Sequence, residues 1–465
     1  MEPHACSDHR SRRPLLSRRN FLLTSLAAGG VAGVSLAFSG RVRNRISAWT
    51  RLKEFEATPP LFPHDPVKDK RTLWVARGGS PADNVDAVMD KLGGIEQVVG
   101  KEDVVLIKVS AQWWNQGMTN VAAVKRVIEH VLEIPGFRGE VIVFENAHFR
   151  MPDGSGLARA WVYPSERNVD VPGWNKLGDL IPYFDAKRVP VSCVGLVDAG
   201  LSGLSTASWH DPEHLYGVYG GDGRGPIAPG ELRDGYYWDF ERTFRKRRSL
   251  IDYAQTPLTW PVFTSPKSGL MIDLKDGLFR REGTKRAPVP DRKLTWIMMP
   301  TSNEHGTTGI TCCCKSAMGI VDMSAGWMGT DPRILDYQSV HFFGQPTAPW
   351  RLAGPLAYFA KHVRAPDLYI VAAEWVGAGP PRVWDKNVDP RLRAASAHHT
   401  NTVLAGTDPV ALDWWCAKNL LMPIQGEAKH LYNVDDPHST ASRFLRYYRE
   451  VYGSGTLDPA LIQAV

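Results

Sequence analysis

The sequence has no CxxC pair and no repeating cysteine spacing. Past residue 39 its cysteines are Cys193, Cys312, Cys313, Cys314 and Cys416, an odd number. That excludes a zinc ribbon, a ferredoxin-type iron–sulfur motif and a disulfide framework. A strong charge excess is also missing: 55 Lys and Arg stand against 49 Asp and Glu, for a net charge of +6. Residues 1–39 hold Arg10, Arg12, Arg13, Arg18 and Arg19 against Glu2 and Asp8, so half of that excess belongs to the leader. What remains is too weak to make a nucleic-acid surface. There is no internal repeat and no low-complexity tract. What is there is 465 residues, 43% hydrophobic and 22% charged. This is the profile of a soluble globular chain, and it excludes disordered, fibrous and multispanning membrane classes.

The leader carries a readable signal. Ser17-Arg18-Arg19-Asn20-Phe21-Leu22 opens a stretch, 21–38, with no charged residue and much Gly, Ala and Ser. The arginine pair, Phe and Leu fall in the order of a twin-arginine export signal, defined by Arg18 and Arg19. Arg41, Arg43 and Arg45 would hinder threading export and fit the same route. Ala37-Phe38-Ser39 offers a small-x-small cleavage site. Left uncut, the stretch is at the lower limit for a membrane anchor. The twin-arginine route carries folded proteins, so folding takes place where thiols stay reduced. The expected location is periplasmic or exported. The twin-arginine translocase is the expected partner, and the membrane is one only if the leader stays attached.

Residues 40–70 are punctuated by Pro59, Pro60, Pro63 and Pro66 and predict a linker. A β/α rhythm follows. Residues 73–76 are a short apolar run, and Asp83 is placed to cap a helix that ends at Leu92. Residues 104–109 are a nearly unbroken branched apolar run, the pattern of a strand buried on both faces. Val121, Val124, Val127, Ile128 and Val131 then recur at helical spacing between Asn120 and Leu132. Residues 141–144 are the next strand. Strand, helix and strand at this spacing mean a right-handed crossover and a parallel sheet. From about 150 to 290 the rhythm gives way to Gly, Pro and aromatics, which predicts a long irregular insertion that serves as a lid. Residues 294–299, 368–373 and 402–405 are later strands, and Asp408-Pro409 starts a helix running to Leu421. The fold class is α/β: a parallel or mixed central sheet flanked by helices, in one domain over 71–430. Residues 431–465 are expected to form a C-terminal helix and tail.

Several strand exits match the pattern of a known family. Leu106-Ile107-Lys108 is followed by Met118-Thr119-Asn120, and Val143-Phe144 by Glu145-Asn146. Pro300-Thr301-Ser302-Asn303-Glu304-His305 leads to Thr311 and then Lys315-Ser316-Ala317-Met318-Gly319. Glu374 precedes Gly379-Pro380, and Asp408-Pro409-Val410-Ala411-Leu412-Asp413 closes the series. Over about 72–425, apart from the insertion, the chain resembles the bacterial and archaeal family named as domain of unknown function 362. Asn303 stands where that family has Lys before the His, and Ser316 where it has Asn. Many members carry an added iron–sulfur module, and no motif for one is present here.

In a parallel sheet, ligands sit at the carboxyl ends of the strands. Lys108, Glu145, His305, Glu374 and Asp408 each stand at or after such an end, with Asn146 and Asp413 close by in sequence. If the strands are neighbours, these residues converge. Lys108 and Lys315 would hold an anionic group, and Glu145, Glu374 and Asp413 would supply carboxylates. His305 is a general base, a metal-facing group or a turn residue. Asp408 is either half of a carboxylate pair with Asp413 or a helix N-cap. Cys312-Cys313-Cys314, read as a strand, would let Cys312 and Cys314 share a soft metal with His305; the alternative is packing as small hydrophobes. The 16 tryptophans are core or stacking surfaces. The run Arg242, Arg245, Lys246, Arg247 and Arg248 predicts a solvated face. Gly220-Gly221-Asp222-Gly223 follows no clear strand and predicts a turn. The residues point to an exported cofactor- or metal-dependent enzyme of unassigned reaction, or to a non-catalytic binding or accessory protein using the same cleft. The cofactor is not specified, and the ligand is a small molecule of anionic type.

Overall fold

The computed structural model describes residues 67–145, 159–161, 164–195, 227, 231–247, 253–321, 350–377, 397–424 and 429–465. The leader with Arg18 and Arg19, the linker up to residue 66, Asn146, residues 220–223, Arg248 and Gly379-Pro380 lie outside the described residues.

β1 (Arg71–Arg77) opens the fold and α1 (Pro81–Leu92) follows. The helix starts before Asp83 because Ser80-Pro81-Ala82-Asp83 is a capping box. The Ser80 hydroxyl accepts from the Asp83 N–H, and the Asp83 carboxylate accepts from the Ser80 N–H. β2 (Val104–Val109) and β3 (Glu140–Glu145) are buried at every position, as continuous apolar runs require. α2 (Val121–Glu133) crosses between them, and the Asn120 side chain caps it by accepting from the Ala123 N–H. α3 (Leu180–Lys187) and β4 (Val191–Gly195) repeat the unit, with β4 parallel to β3. The central sheet therefore continues into the stretch 150–290. Only after β4 does a separate antiparallel sheet appear: β5 (Gly235–Arg247), β6 (Tyr253–Thr264), β7 (Met271–Asp273), β8 (Gly277–Glu282) and β9 (Lys285–Pro288), each beside the next. Arg242, Arg245, Lys246 and Arg247 fall within the range of β5, an edge strand.

β10 (Leu294–Met299) returns to the central sheet. A hairpin, β11 (Asn303–His305) and β12 (Gly309–Thr311), leads to the one-turn helix α4 (Cys313–Ser316). α5 (Trp350–His362), β13 (Leu368–Gly377), β14 (Ala397–Gly406) and α6 (Pro409–Cys416) follow, then α7 (Lys429–Tyr432), α8 (Thr440–Tyr452) and β15 (Ile462–Ala464). The sheet order is β15-β1-β14-β13-β10-β2-β3-β4. β2, β3, β4, β10 and β13 are parallel, whereas β14 is antiparallel to both β13 and β1. The sheet is thus mixed. The C-terminal tail is not loose: β15 extends the sheet beside β1. Among the described residues, no helix is long and apolar enough to cross a membrane.

The reversal of β14 decides which residues meet. Lys108, Met298, Tyr369 and Gly406 stand at one level across the sheet. The parallel strands exit upward from that level, and β14 exits downward toward the start of β1.

Candidate functional site

Lys108 is the penultimate residue of a strand otherwise apolar on both faces, so its ammonium has no water to meet and must find partners inside. Register places Phe144 of β3 opposite Lys108, which brings Glu145 one step beyond it. Lys108 Nζ lies 2.9 Å from Glu145 Oε2, and both side chains are nearly sealed, at 3% and 4% exposure. The same ammonium donates to Ser316 Oγ at 2.9 Å, tying β2 to α4. Burial pushes the Glu145 carboxyl up to about 7, against the pull of the Lys108 charge. Gly319 completes the closure. A Cβ there would lie 2.6 Å from Lys108 Cε and 2.8 Å from Glu145 Oε1, so any larger residue would have to displace the ends of the buried pair for the turn after α4 to close over it. Behind it, Thr119 Oγ1 accepts from the Ser110 N–H and donates to the Met299 carbonyl at 2.6 Å, joining the exits of β2 and β10.

Lys315 is the neighbouring cation, and its situation is the reverse. It too is buried, but among the described residues its Nζ reaches only Thr311 Oγ1, at 3.3 Å. Among the described residues no carboxylate lies within ion-pair distance of it. Burial, reinforced by the Lys108 charge, pushes its pKa down to about 7. Lys108, Glu145, Ser316, Gly319 and Lys315 form the buried cluster that the sequence pattern brings together.

The other predicted residues fall elsewhere. Asp408 does not join the cluster, because β14 runs antiparallel and its exit points back toward Arg71. Its side chain accepts from the Val410 and Ala411 N–H groups as the N-cap of α6, and from the Thr456 N–H at 3.0 Å. Glu374 stands five residues above the level of Lys108, about 16 Å further along the strand direction at roughly 3.3 Å per residue. There it forms a second constellation. A bulge opposite Ala373 and Trp375 puts Asn401 in the left-handed region at φ 47° and turns His399 toward Glu374. His399 Nε2 hydrogen-bonds Glu374 Oε1, with the carboxylate buried and the imidazole 47% exposed. Burial pushes the Glu374 carboxyl up, and the His399 partner opposes that shift. Trp375 stacks beside the His399 ring, centroids 4.6 Å apart, and lies under the Arg167 guanidinium at 4.1 Å. His399 and Arg167 carried no signal in the sequence beyond residue type, whereas Gly319 closes the Lys315-to-Gly319 run of the family pattern.

His305 lies in the β11–β12 hairpin, where its Nδ1 accepts from the Thr307 N–H at 3.1 Å. Asn303, two residues earlier on the same strand face, donates to the Gln116 carbonyl at 2.7 Å.

The cysteines are not on a strand. β12 ends at Thr311, and α4 begins at Cys313. A helical start brings neighbouring side chains together that a strand would send to opposite faces. Cys312 Sγ, Cys313 Sγ and a carboxylate oxygen of Asp413 lie within 4.8 Å of one another, and neither Cys314 nor His305 belongs to that group. Asp413 Oδ1 accepts from the Cys313 N–H at 2.7 Å, and Oδ2 from the Cys314 N–H at 3.1 Å. Burial pushes the Asp413 carboxyl well up.

Neither the curated proteins nor the solved structures contain a match to the chain. The matched segment of the family comparison holds His305, Lys315, Glu374, Asp408 and Asp413, while Lys108 and Glu145 precede it. Over residues 292–418 the chain matches the family described as Domain of unknown function (DUF362), and the family resemblance rests on that segment.

Proposed function

We propose that the protein is an exported enzyme that receives an anionic small molecule beside Lys315, at the carboxyl edge of the central sheet. The observation behind this reading is the contrast between two neighbouring lysines. Lys108 has a buried carboxylate partner, whereas among the described residues the Lys315 ammonium is buried beside a single hydroxyl. A buried charge without a counter-charge is costly, and an incoming phosphate or carboxylate would offset that cost. Lys108 and Glu145 make the rigid floor of the site. A binding or accessory protein could use the same cation. It has no need of a buried carboxylate that holds a half-exposed imidazole, as Glu374 holds His399, and that pair favours acid–base chemistry.

Calorimetric titration of the full chain with phosphate, sulfate and small carboxylates tests this. At least one of them binds the native protein, and Lys315→Met weakens that binding by about tenfold or more, as expected for one lost charge-assisted contact. Binding of none of them, or equal binding by Lys315→Met, overturns the reading. The export part has its own test. With Arg18 and Arg19 both replaced by Lys, uncleaved precursor accumulates in the cytoplasm. Unchanged export in that variant refutes the leader assignment.

A further inference from the structure

We infer that Cys312, Cys313, Cys416 and Asp413 form a closed site for a zinc ion. The four residues come from two segments that meet face to face, the turn after β12 and the helix α6. Asp413 and Cys416 are three apart on α6, so they lie on one face of it. Cys312, Cys416 and Asp413 are fully sealed, and Cys313 is 2% exposed.

The spacing fits the ion. Two thiolates bound to one tetrahedral zinc at about 2.3 Å each stand roughly 3.8 Å apart. Cys312 Sγ and Cys313 Sγ are 3.8 Å apart. An Asp413 oxygen lies within 4.8 Å of both sulfurs. Cys416 lies outside that group, on the same face of α6 as Asp413, and its thiol would swing in as the fourth donor. Sulfur ligands with one oxygen select a borderline-soft divalent ion over calcium or magnesium. Asp413 is already aimed. The N–H groups of Cys313 and Cys314 hold one oxygen each, the outer support that orients a ligating carboxylate. Cys314 donates no atom to the group.

With Cys416 as the fourth ligand no position is left open, so the ion would be structural and not a reaction centre. Each thiol that binds becomes a thiolate and releases its proton to solvent, with no change of oxidation state. The ion would pin the start of α4 to α6, and Lys315 and Ser316 ride on α4. It stands whether or not Lys315 receives an anion.

Full-length protein, purified in reductant without chelator from zinc-supplemented cells, is measured by elemental analysis and native mass spectrometry. Zinc is expected in equimolar amount. Cys312→Ser combined with Cys313→Ser loses it, and Cys314→Ala keeps it. If the double variant does not fold, chelation of the native protein carries the test: it lowers the melting temperature, added zinc restores it, and cobalt in place of zinc gives a thiolate charge-transfer band. Zinc-free native protein that shows no cobalt–thiolate band overturns the inference. So does zinc retained by the folded double variant, or a native mass two hydrogens short, which marks a disulfide among these sulfurs.

Discussion

Replacing Gly309 with alanine destabilises the protein by about 3 kcal/mol or more, among the largest effects for a single methyl group. Gly309 begins β12 at φ +76°, a region that costs an L-residue roughly 1–2 kcal/mol. The added Cβ would also stand 2.3 Å from the Ala441 nitrogen and 2.4 Å from the Leu431 carbonyl oxygen. Both are backbone atoms, of α8 and α7 respectively, so neither can rotate away. The hairpin must then lift from the C-terminal helices, and it carries Asn303, His305 and Thr311. Gly306 on the same hairpin has nothing within 4 Å of its Cβ position and is the internal control. Urea unfolding should show a large fall in midpoint for Gly309→Ala at unchanged slope, and a small one for Gly306→Ala. A Gly309→Ala midpoint equal to that of Gly306→Ala would refute the account of this contact.

The buried strands were legible because burial on both faces leaves a composition signal. β2, β3 and β10 are nearly pure branched or long apolar runs, and each lies within a residue of where the sequence places it. Direction leaves no such signal. Residues 402–405 read as a strand whichever way they run, so the reversal of β14, and with it the separation of Asp408 from Lys108, came only with the pairing. The second sheet was hidden by Pro257 and Pro261 inside β6, since proline in a strand reads as punctuation. Glu374 was visible as an acidic strand exit, but its partner His399 is set by a bulge at Asn401 that no local pattern encodes. The cysteine geometry turned on one boundary. Ending β12 at Thr311 and not at Cys314 changes which sulfurs meet. Lys108 and Glu145 were legible as candidates, and Gly319 as the end of a motif, but the reason for a glycine there, the pair it covers, was not.

Lys108→Met should cost little in acid and about 3–5 kcal/mol in base, the range for stranding one member of a buried ion pair. The direction follows from Glu145. Its folded pKa is pushed up to about 7 from a usual 4.5, so the folded state holds that proton more tightly than the unfolded chain does. The stability it contributes is full below about pH 4.5 and is lost as pH rises through about 7, by roughly 3 kcal/mol at most. In acid the folded carboxyl is neutral and Lys108 has no anion to lose. In base Glu145 is ionised, and Lys108 Nζ at 2.9 Å is what holds it. Without Lys108 the carboxyl rises further, so the penalty deepens and extends above pH 7. Glu145→Gln, which cannot ionise, should flatten this window. Lys108→Met with Glu145→Leu should recover most of the basic loss, since an apolar pair of similar volume needs no counter-charge. Urea unfolding of the four proteins from about pH 5 to pH 9 reads all of this as one set of curves. A Lys108→Met cost that is flat across that range, or a double variant no better than the single, would show that the pair is not the electrostatic floor of the site.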